Sequence, residues 1–464
     1  MSASQSISKF WSTAAYALML LGAFSLFLLI RSHGEALVAP EASDMSGLSR
    51  GAGGKQGDVL LHVLLALVAV VITGQLVGRL FVWIGQPPVI GEVVGGILLG
   101  PSLLGWIAPN VSAFLLPDSV APYLGVIAQL GVILYMFLVG LELNGDRLRD
   151  RVHTTVAISH ASIVLPFLLG AVLALDLYPR LSSSDVQFTS FALFMGVAMS
   201  ITAFPVLARI LTDRKMTKTE LGVMALTCAA ADDVTAWCLL AFVVGVHQAK
   251  LDGALWVALL ALAYLGFMFF VARPIVTRIV SRWRDQPPSQ HVIALALVGV
   301  LLSALTTELI GVHAIFGAFL LGAIIPHDSG LARTLTHKLE DLVTVLLLPA
   351  FFAFTGMRTK IGLLSGLENW LICGLIIVVA TAGKFGGTLI AARLTGQSWR
   401  NSAGLGILMN TRGLMELIVL NIGLDLGVIS PTLFAMMVLM ALATTIATTP
   451  ILQWIAPQAI QSRL

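Results

Sequence analysis

Two adjacent carboxylates lie in the middle of an apolar stretch, where charged side chains are rare. Asp232 and Asp233 are flanked by small and apolar residues from Ala229 to Trp237. A charged side chain at the centre of a membrane helix costs about 2.5 to 3.5 kcal/mol, so the pair costs roughly 5 to 7 kcal/mol. Adjacent carboxylates at low dielectric resist ionising together, so a proton and a hard monovalent cation can compete for one oxygen site. The pair therefore predicts such a site, against the alternative of helix-packing carboxylates neutralised by hydrogen bonds.

Three more charged residues lie in apolar runs and need partners. Lys384, within Ala382–Gly387, is the only lysine deep in such a run. Either it pairs with one of the aspartates and is released when a cation binds, or it is a fixed strut between two helices. Arg412 and Glu416 lie four residues apart, so on a helix their side chains meet and neutralise each other. We expect a structural role for that pair.

Other titratable residues offer weaker signals. Glu92 and Glu142 lie near the ends of their apolar runs, where snorkelling or local capping suffices and a cation-attracting cytoplasmic funnel is the sharper alternative. Isolated histidines such as His160 and His313 are usually satisfied locally in an apolar helix. The spacing of the cysteines offers no zinc or haem signature, and we interpret the cysteines as packing residues. These cysteines are Cys228, Cys238 and Cys373.

The composition indicates that helices in a lipid bilayer position these residues. Of the 464 residues, 58% are hydrophobic and 11% charged, and the mean hydropathy is +0.94. One span with its loop takes roughly 30 residues, so the chain holds about fourteen spans. Since no run shows the alternation of a membrane β-barrel, we predict an all-α polytopic membrane protein and exclude a secreted or cytosolic enzyme. The net charge of +3 forms no basic block, so we expect no nucleic-acid partner.

Apolar runs mark the predicted spans along the chain. They lie near residues 12–30, 59–84, 88–107, 120–144, 154–177, 187–212, 219–247, 253–271, 290–310, 312–326, 340–357, 366–394, 401–424 and 430–455. The first run is interpreted as a retained helix rather than a signal peptide, and residues 32–57 as a flexible linker. Residues 1–57 thus precede a membrane domain at 58–464.

The basic residues of alternate loops predict the orientation. One side carries most of them, and by the positive-inside rule this side is cytoplasmic, as are both termini if the first helix is retained. These residues are Arg147, Arg149, Arg151, Arg214, Lys215, Lys218, Arg273, Arg278, Arg282, Arg284, Arg333, Lys338, Arg393 and Arg400. The opposite loops carry little beyond Arg180, Lys250, Arg358 and Lys360, with Arg50 and Lys55 in the linker.

Two unusual segments recur about seven spans apart among the remaining thirteen or so spans. Ser200–Pro205 carries Pro205 inside a span, and Asn410–Gly413 is polar in the middle of another. Because the two segments are an odd number of spans apart, the spans around the second segment have the opposite orientation in the membrane. This is the pattern of inverted repeats whose broken helices cross at the bilayer midplane. We predict a first repeat at about 58–247, a linker helix at about 253–271 and a second repeat at about 290–455. Either segment alone could be a simple kink.

The motifs together resemble those of the monovalent cation:proton antiporter-2 family, within the sodium/proton exchanger superfamily. The resemblance extends from about residue 59 over nearly the whole chain. The motifs are Gln86-Pro-Pro-Val-Ile-Gly-Glu92, Gly100-Pro-Ser102, Gly140-Leu-Glu142, Thr202-Ala-Phe-Pro205, Ala231-Asp-Asp233, Gly383-Lys384 and Asn410-Thr-Arg-Gly-Leu-Met-Glu416. The resemblance implies a thirteen-helix antiporter with a mobile ion-carrying core, a dimerising scaffold and elevator-like alternation, in the bacterial inner membrane.

The resemblance also implies roles for single residues. Asp233 is the main cation and proton carboxylate, and Asp232 is its neighbour that pairs with Lys384. Thr202 and Thr411 fall on the crossover segments. An Asp-Asp pair accompanies electrogenic sodium exchange in the family, whereas the Asn-Thr-Arg-Gly segment resembles plant-type exchangers that often handle potassium. The expected cargo is Na⁺ or K⁺, with Li⁺ as a further candidate, against H⁺; lipid and a second copy are the expected partners, and no cofactor is expected.

Two features of the sequence depart from the pattern of the family. The extra first helix lies outside the thirteen-helix pattern and could sit at a dimer interface, bind lipid or be removed. No GxGxxG motif follows the last span, so we expect no nucleotide-binding regulatory domain in this chain.

The alternative functions are a sodium-coupled organic-solute symporter, a gated channel and a subunit of a proton-translocating complex. A symporter would need a larger polar cavity, and the sequence has no extra polar residues to build one. No filter motif supports a channel, and no haem, quinone or flavin motif supports a redox complex.

Overall fold

The chain folds into helices, as its composition requires in a medium that cannot hydrogen-bond the backbone. A computed structural model describes residues 3–37, 56–117, 119–142, 152–217, 219–248, 251–280, 288–311 and 313–455. Among these residues there is no strand. The prediction of an all-helical membrane protein is confirmed.

The helices are numbered in chain order. They are α1 Ala3–Gly34, α2 Gln56–Trp83, α3 Pro88–Leu99, α4 Leu104–Ile107, α5 Pro109–Leu115, α6 Ala121–Glu142, α7 Val152–Leu181, α8 Phe188–Ser200, α9 Phe204–Asp213, α10 Glu220–Gln248, α11 Leu251–Phe267, α12 Arg273–Val280, α13 Gln290–Ile310, α14 Ala314–Ile324, α15 Gly330–Leu342, α16 Leu348–Arg358, α17 Leu367–Leu394, α18 Trp399–Met409, α19 Leu414–Asp425 and α20 Pro431–Ile455. Wider turns at Met268–Ala272 and Val343–Leu347 join α11 to α12 and α15 to α16.

Eleven stretches of the described residues are helical, long and apolar enough to cross a membrane, or twelve if α18 and α19 count as one span. The axes of α18 and α19 differ by 43°. The apolar helices α8 and α14 are shorter, at 13 and 11 residues. The count of thirteen core spans stays a prediction, because it depends on pairing such short helices with their neighbours.

Two predicted segments differ from the helices observed. The predicted linker helix at 253–271 is longer in the structure, because the wider turn lets α11 continue into α12 as far as Val280. The predicted linker at 32–57 begins inside α1, which ends at Gly34. Residues 38–55 of that linker, and the basic residues Arg147, Arg149, Arg151, Lys218, Lys250, Arg282 and Arg284 used for the orientation, lie outside the described residues.

The chain divides into two compact units, neither of which is continuous in sequence. Unit 1 comprises Met1–Ser43, Arg151–Ala236 and Gly366–Leu464, and unit 2 comprises Asp44–Asp150 and Trp237–Ser365. Each unit therefore takes helices from both predicted repeats. Whether those repeats are inverted copies stays a prediction.

Small residues allow the helices within each unit to approach closely, as is usual in bilayers. In unit 1, a methyl group at Gly387 of α17 would lie 2.6 Å from the carbonyl oxygen of Ala161 on α7. In unit 2, a methyl group at Gly96 of α3 would lie 2.3 Å from the carbonyl oxygen of Phe352 on α16. The backbones are thus in contact at both places.

The first helix packs within unit 1. Tyr16 of α1 lies edge-on to His160 of α7, with ring centroids 5.5 Å apart. Phe27 lies 6.0 Å from Phe167, also on α7. Helix α1 therefore adds a layer to the face of α7 on which these rings lie.

Two helices of unit 1 are interrupted in their apolar stretches. The helix α8 ends at Ser200 and α9 begins at Phe204, with Pro205 in its first turn, where a missing N–H costs nothing. The helix α18 ends at Met409 and α19 begins at Leu414. Gly413 between them has φ +153°, a conformation that L side chains rarely adopt. Both breaks fall on the segments that the sequence singled out.

Candidate functional site

The Asp232 carboxylate accepts hydrogen bonds from three other segments of unit 1. Ser159 Oγ donates to Oδ1 at 2.6 Å, and Ser162 Oγ donates to Oδ2 at 2.7 Å. Thr202 Oγ1 and Lys384 Nζ also reach Oδ2, at 3.0 Å and 3.2 Å. All five side chains are completely buried. Four hydrogen bonds thus end on this carboxylate, one on Oδ1 and three on Oδ2.

Lys384 forms an ion pair with Asp232 inside unit 1. Its Nζ lies 3.2 Å from Asp232 Oδ2, and neither side chain is exposed. It also donates to the carbonyl oxygen of Ser200. The close approach of α17 to α7 beside Lys384 brings this lysine to the helix that carries the two serines. The structure pairs the two residues, and a releasable partner and a fixed strut would both have this geometry.

Asp233 differs from its neighbour. Its side chain is 2% exposed, so it is buried next to the Asp232 pair. Among the hydrogen bonds of the described residues, none ends on the Asp233 carboxylate. Described hydrogen bonds therefore end on one of the two adjacent carboxylates and not on the other.

The two helix breaks contact each other beside these carboxylates. The backbone N–H of Ala203 donates to the carbonyl oxygen of Thr411 at 2.9 Å. Thr202 Oγ1 lies 3.1 Å from the carbonyl oxygen of Met409 as well as 3.0 Å from Asp232. Thr202 thus links both broken segments to the aspartate.

Two cations neutralise the carbonyl end of α8. The last carbonyl groups of a helix have no partner within the helix, and the helix dipole places negative partial charge there. Arg412 donates to Ala198 O at 2.9 Å and to Met199 O at 2.6 Å, and Lys384 donates to Ser200 O. The break in α8 is therefore stabilised by residues from α17 and from the other break.

Arg412 and Glu416 form the pair that their spacing predicts. Arg412 Nη1 lies 3.0 Å from Glu416 Oε2, and both side chains are fully buried. The backbone N–H of Arg412 donates to Oγ1 of Thr445 on α20 at 3.1 Å. The same Thr445 hydroxyl donates to the backbone carbonyl oxygen of Arg412 at 2.7 Å. These contacts fix the second break in place and fit a structural role.

Three side-chain oxygen atoms at the second break are buried without a hydrogen-bond partner among the described residues. They are Asn410 Oδ1, Thr411 Oγ1 and Glu416 Oε1. Asn410 is 4% exposed, and Thr411 and Glu416 are not exposed. The structure thus brings Thr202, Ser200 and Lys384 together at Asp232, and Arg412 with Glu416 to the same end of α8.

The two predicted funnel residues belong to unit 2 and are not part of this cluster. Glu92 lies on α3, where methyl groups at Gly74 and Gly78 of α2 would each contact its Cγ at 3.8 Å. Glu142 is the exposed last residue of α6. Across the described residues, no group of three or more His, Cys, Asp or Glu side chains could hold a metal ion.

Ser159 and Ser162 are the site residues that the sequence did not reveal. Serines occur in many membrane helices, where they usually bond to the carbonyl of the preceding turn. Ser162 does this as well, to Ser159 O at 2.8 Å. The spacing of three residues on α7 was the available signal, but it has meaning only once α7 is known to face Asp232.

A bundle of membrane-spanning helices with a buried charged cluster at two contacting helix breaks defines a polytopic ion transporter. The family model described as "Sodium/hydrogen exchanger, transmembrane" matches residues 63–456. The chain belongs to this family of monovalent cation:proton antiporters, which are transporters and not enzymes. The resemblance seen in the motifs is thereby confirmed.

Named relatives show how far the similarity extends. The chain is 44% identical over 403 residues to the Na(+)/H(+) antiporter NhaS4 of Synechocystis sp., covering 86% of this chain and 98% of that protein. It is 39% identical to Cation/H(+) antiporter 17 of Arabidopsis thaliana, over 90% of this chain and 51% of the relative. It is 33% identical to K(+)/H(+) antiporter 1 of Saccharomyces cerevisiae, over 81% of this chain and 44% of that relative. The chain therefore spans about half the length of the plant and yeast relatives.

A solved structure shares the fold. The sodium proton antiporter MjNhaP1 of Methanocaldococcus jannaschii superposes with a TM-score of 0.63 over 87% of this chain and 99% of that chain. The sequence identity of 16% means that this likeness concerns the fold alone.

Proposed function

We propose that this protein exchanges a monovalent cation, Na⁺ or K⁺, for protons across the membrane, with Asp233 as the group that alternates between proton and cation. The observation that carries this proposal is the contrast between the two adjacent carboxylates. Asp232 accepts four hydrogen bonds, whereas no described hydrogen bond ends on Asp233. A buried carboxylate that keeps its acceptor positions can trade a proton for a cation, because either one neutralises its charge.

Unit 1 supports an elevator-type mechanism for this exchange. The whole polar cluster, including both aspartates, Lys384 and the two breaks, lies within this one unit. A displacement of unit 1 as a body would therefore carry the site without breaking its internal contacts. In this proposal unit 2 is the scaffold and the dimerising part.

The relatives' names favour exchange over the other functions that the sequence left open. The cyanobacterial relative is named a Na⁺/H⁺ antiporter and the yeast relative a K⁺/H⁺ antiporter. The choice between these two ions is part of the test below. The symporter, channel and complex-subunit alternatives have no specific observation in their favour.

The first test is ion exchange by the purified full chain in proteoliposomes. With an acidic interior and a pH-sensitive dye trapped inside, we expect proton efflux when Na⁺, K⁺ or Li⁺ is added outside, one ion in turn. The order of the half-saturating concentrations gives the selectivity. Vesicles without protein are the control. Proton efflux that is as slow as in these vesicles with all three ions would contradict the proposal.

A second expectation concerns voltage. A cation bound between Asp232 and Asp233 displaces the proton of Asp233 and, if Lys384 is released, the proton of that ammonium as well. Two protons then exchange for one cation, so one net charge moves. Because one charge across 100 mV is worth about 2.3 kcal/mol, the equilibrium cation gradient should change roughly 50-fold for that potential.

The voltage test imposes the potential with a gradient of a permeant anion, because K⁺ is itself a candidate cargo, and uses Na⁺ as the exchanged ion. Asp232→Asn should reduce or remove the response, because the lysine then loses its anionic partner. Wild-type exchange that is indifferent to the imposed potential would exclude two-proton coupling while leaving the exchange itself established.

A further inference from the structure

The last helix of unit 1 runs alongside one half of each broken span. These half-helices are α9, which begins at the first break, and α18, which ends at the second. Thr445 of α20 is bonded to Arg412 at the second break, and Ile455 lies about 15 Å further along the same helix. With 10 residues, α9 is also about 15 Å long. The final turn of α20 can therefore reach the ends of both half-helices that lie away from the breaks.

Two arginine side chains bind this final turn, one from each half-helix. Arg214, directly after α9, donates from Nη1 and Nη2 to the side-chain oxygen of Gln453, with the Nη2 contact at 2.8 Å. The amide orientation of Gln453 is the one in which its oxygen faces these donors. Arg400, in the first turn of α18, donates from Nε to the carbonyl oxygen of Ile455 at 2.9 Å. Since Gln453 and Ile455 are close in sequence, both bonds end on one turn of α20.

The place of Arg400 on its own helix indicates a role toward α20. The helix dipole favours anions in the first turn of a helix and cations in the last turn. Arg400 is a cation in the first turn of α18, where Ser398 caps the helix by accepting from the backbone N–H of Asn401 at 3.2 Å. With respect to α20 the same cation is well placed, because it meets carbonyl groups that have no partner within that helix.

Buried apolar side chains join the same three segments. Leu452 of α20 is 1% exposed and belongs to one core cluster with Leu207 and Leu211 of α9 and with Leu405 and Leu408 of α18. The final turn of α20 is thus linked to both half-helices by apolar packing and by an arginine from each side.

The relative position of the two half-helices determines a contact of the candidate site. Thr202 directly precedes the cap of α9, and its Oγ1 lies 3.1 Å from the carbonyl oxygen of Met409, the last residue of α18. The same hydroxyl bonds Asp232 at 3.0 Å. A shift of either half-helix would therefore change the geometry at Thr202 and at the carboxylate that it bonds.

We propose that Arg214 and Arg400 are positioning residues that bind both half-helices to the final turn of α20 and so hold Thr202 and Met409 in place at the site. This inference rests on the exchange function proposed above. The link from α9 through α20 to α18 needs both arginine bonds, so the loss of either one breaks it. The two arginines should therefore act as one unit and not as two independent helix caps.

Transport by arginine variants is the first test. In Arg214→Gln and in Arg400→Gln, the KM for the exchanged cation should rise about fivefold, because part of the energy of a hydrogen bond from a charged group is lost at the site. The double variant should have the KM of the single variants, whereas independent effects would multiply to about 25-fold. Arg400→Lys keeps the charge and a donor, so its KM should stay within about twofold of wild type. Effects that multiply, or a lower maximal rate at an unchanged KM, would overturn the inference.

Arg333→Gln is the matched control. Arg333 is an exposed arginine of α15 in unit 2, and its Nη2 donates to the carbonyl oxygen of Asp328 at 2.7 Å. The variant loses the same charge and the same kind of bond away from α20, so its KM should equal that of wild type. Gln453→Leu keeps Arg214 but removes its acceptor, and its KM should match that of Arg214→Gln. A wild-type KM in Gln453→Leu would overturn the inference, as would a fivefold rise in Arg333→Gln.

Hydrogen–deuterium exchange of the full chain in detergent tests the inference without transport. In Arg400→Gln, the backbone amides of α9 on the other half-helix should exchange about threefold faster than in wild type, together with those of α18. In Arg214→Gln, the amides of α18 should likewise exchange faster together with those of α9. Faster exchange confined to the half-helix of the replaced arginine would overturn the inference even if the protein exchanges ions. Faster exchange in both half-helices would support the positioning role even if the protein exchanged none, and Gln453→Leu replaces an arginine variant that does not fold.

Discussion

Asp233→Asn is expected to reduce cation-dependent proton flux to the level of vesicles without protein. The amide has nearly the same shape but neither binds nor releases a proton at physiological pH, and it carries no charge to hold a cation. Because no described hydrogen bond ends on Asp233, the substitution should leave folding intact. Flux in proteoliposomes and the unfolding temperature of the same sample would be measured together.

Asp176→Asn provides the matched control for this variant. Asp176 is an exposed aspartate of α7 that pairs with Arg180 at 3.0 Å, far along the helix from the serines. Asp176→Asn makes the same change from carboxylate to amide, at an exposed position without a buried partner. Its flux should equal that of wild type. Transport at the wild-type rate by Asp233→Asn would exclude Asp233 as the exchanging group.

Lys384→Ala is expected to lower the free energy of unfolding by about 3 to 5 kcal/mol, because it leaves the buried Asp232 anion without its counter-charge. The three hydroxyl donors would remain, but none supplies a positive charge. Adding Asp232→Asn removes the uncompensated anion and should recover part of the loss. The measurement is a double-mutant cycle on thermal unfolding at low and at high Na⁺ concentration.

The coupling between the two positions should exceed about 0.5 kcal/mol at low Na⁺ and decrease at high Na⁺. A decrease would mean that a bound cation takes over the role of the ammonium group, which distinguishes a releasable lysine from a fixed strut. Lys360→Ala, at an exposed lysine of unit 2, is the control for loss of a positive charge. Additive effects of the two substitutions would mean that Lys384 and Asp232 are not coupled.

The charged members of the site could be found in the sequence because charges in apolar helices are costly. The cost singled out Asp232, Asp233 and Lys384, and the spacing of four residues predicted the contact between Arg412 and Glu416. The two helix breaks were visible because proline and a polar, glycine-containing segment do not continue a helix. Local chemistry was sufficient for each of these predictions.

What could not be predicted depends on contacts between distant parts of the chain. Ser159 and Ser162 are ordinary helix residues until α10 places Asp232 opposite them. The division into units was also hidden, because α7 packs against α17, which lies about 200 residues further along the chain. Apolar helices show little periodicity in a bilayer, so their sequences do not say which faces meet.

The packing of α1 has a mechanical consequence for an elevator motion. Because α1 is attached to α7, a moving unit 1 must take this helix, with its exposed leucines such as Leu18 and Leu21, through the surrounding lipid. In the proposed elevator motion this apolar surface would move through lipid. The drag of lipid on α1 would oppose this motion, and turnover should therefore slow as the bilayer becomes more viscous.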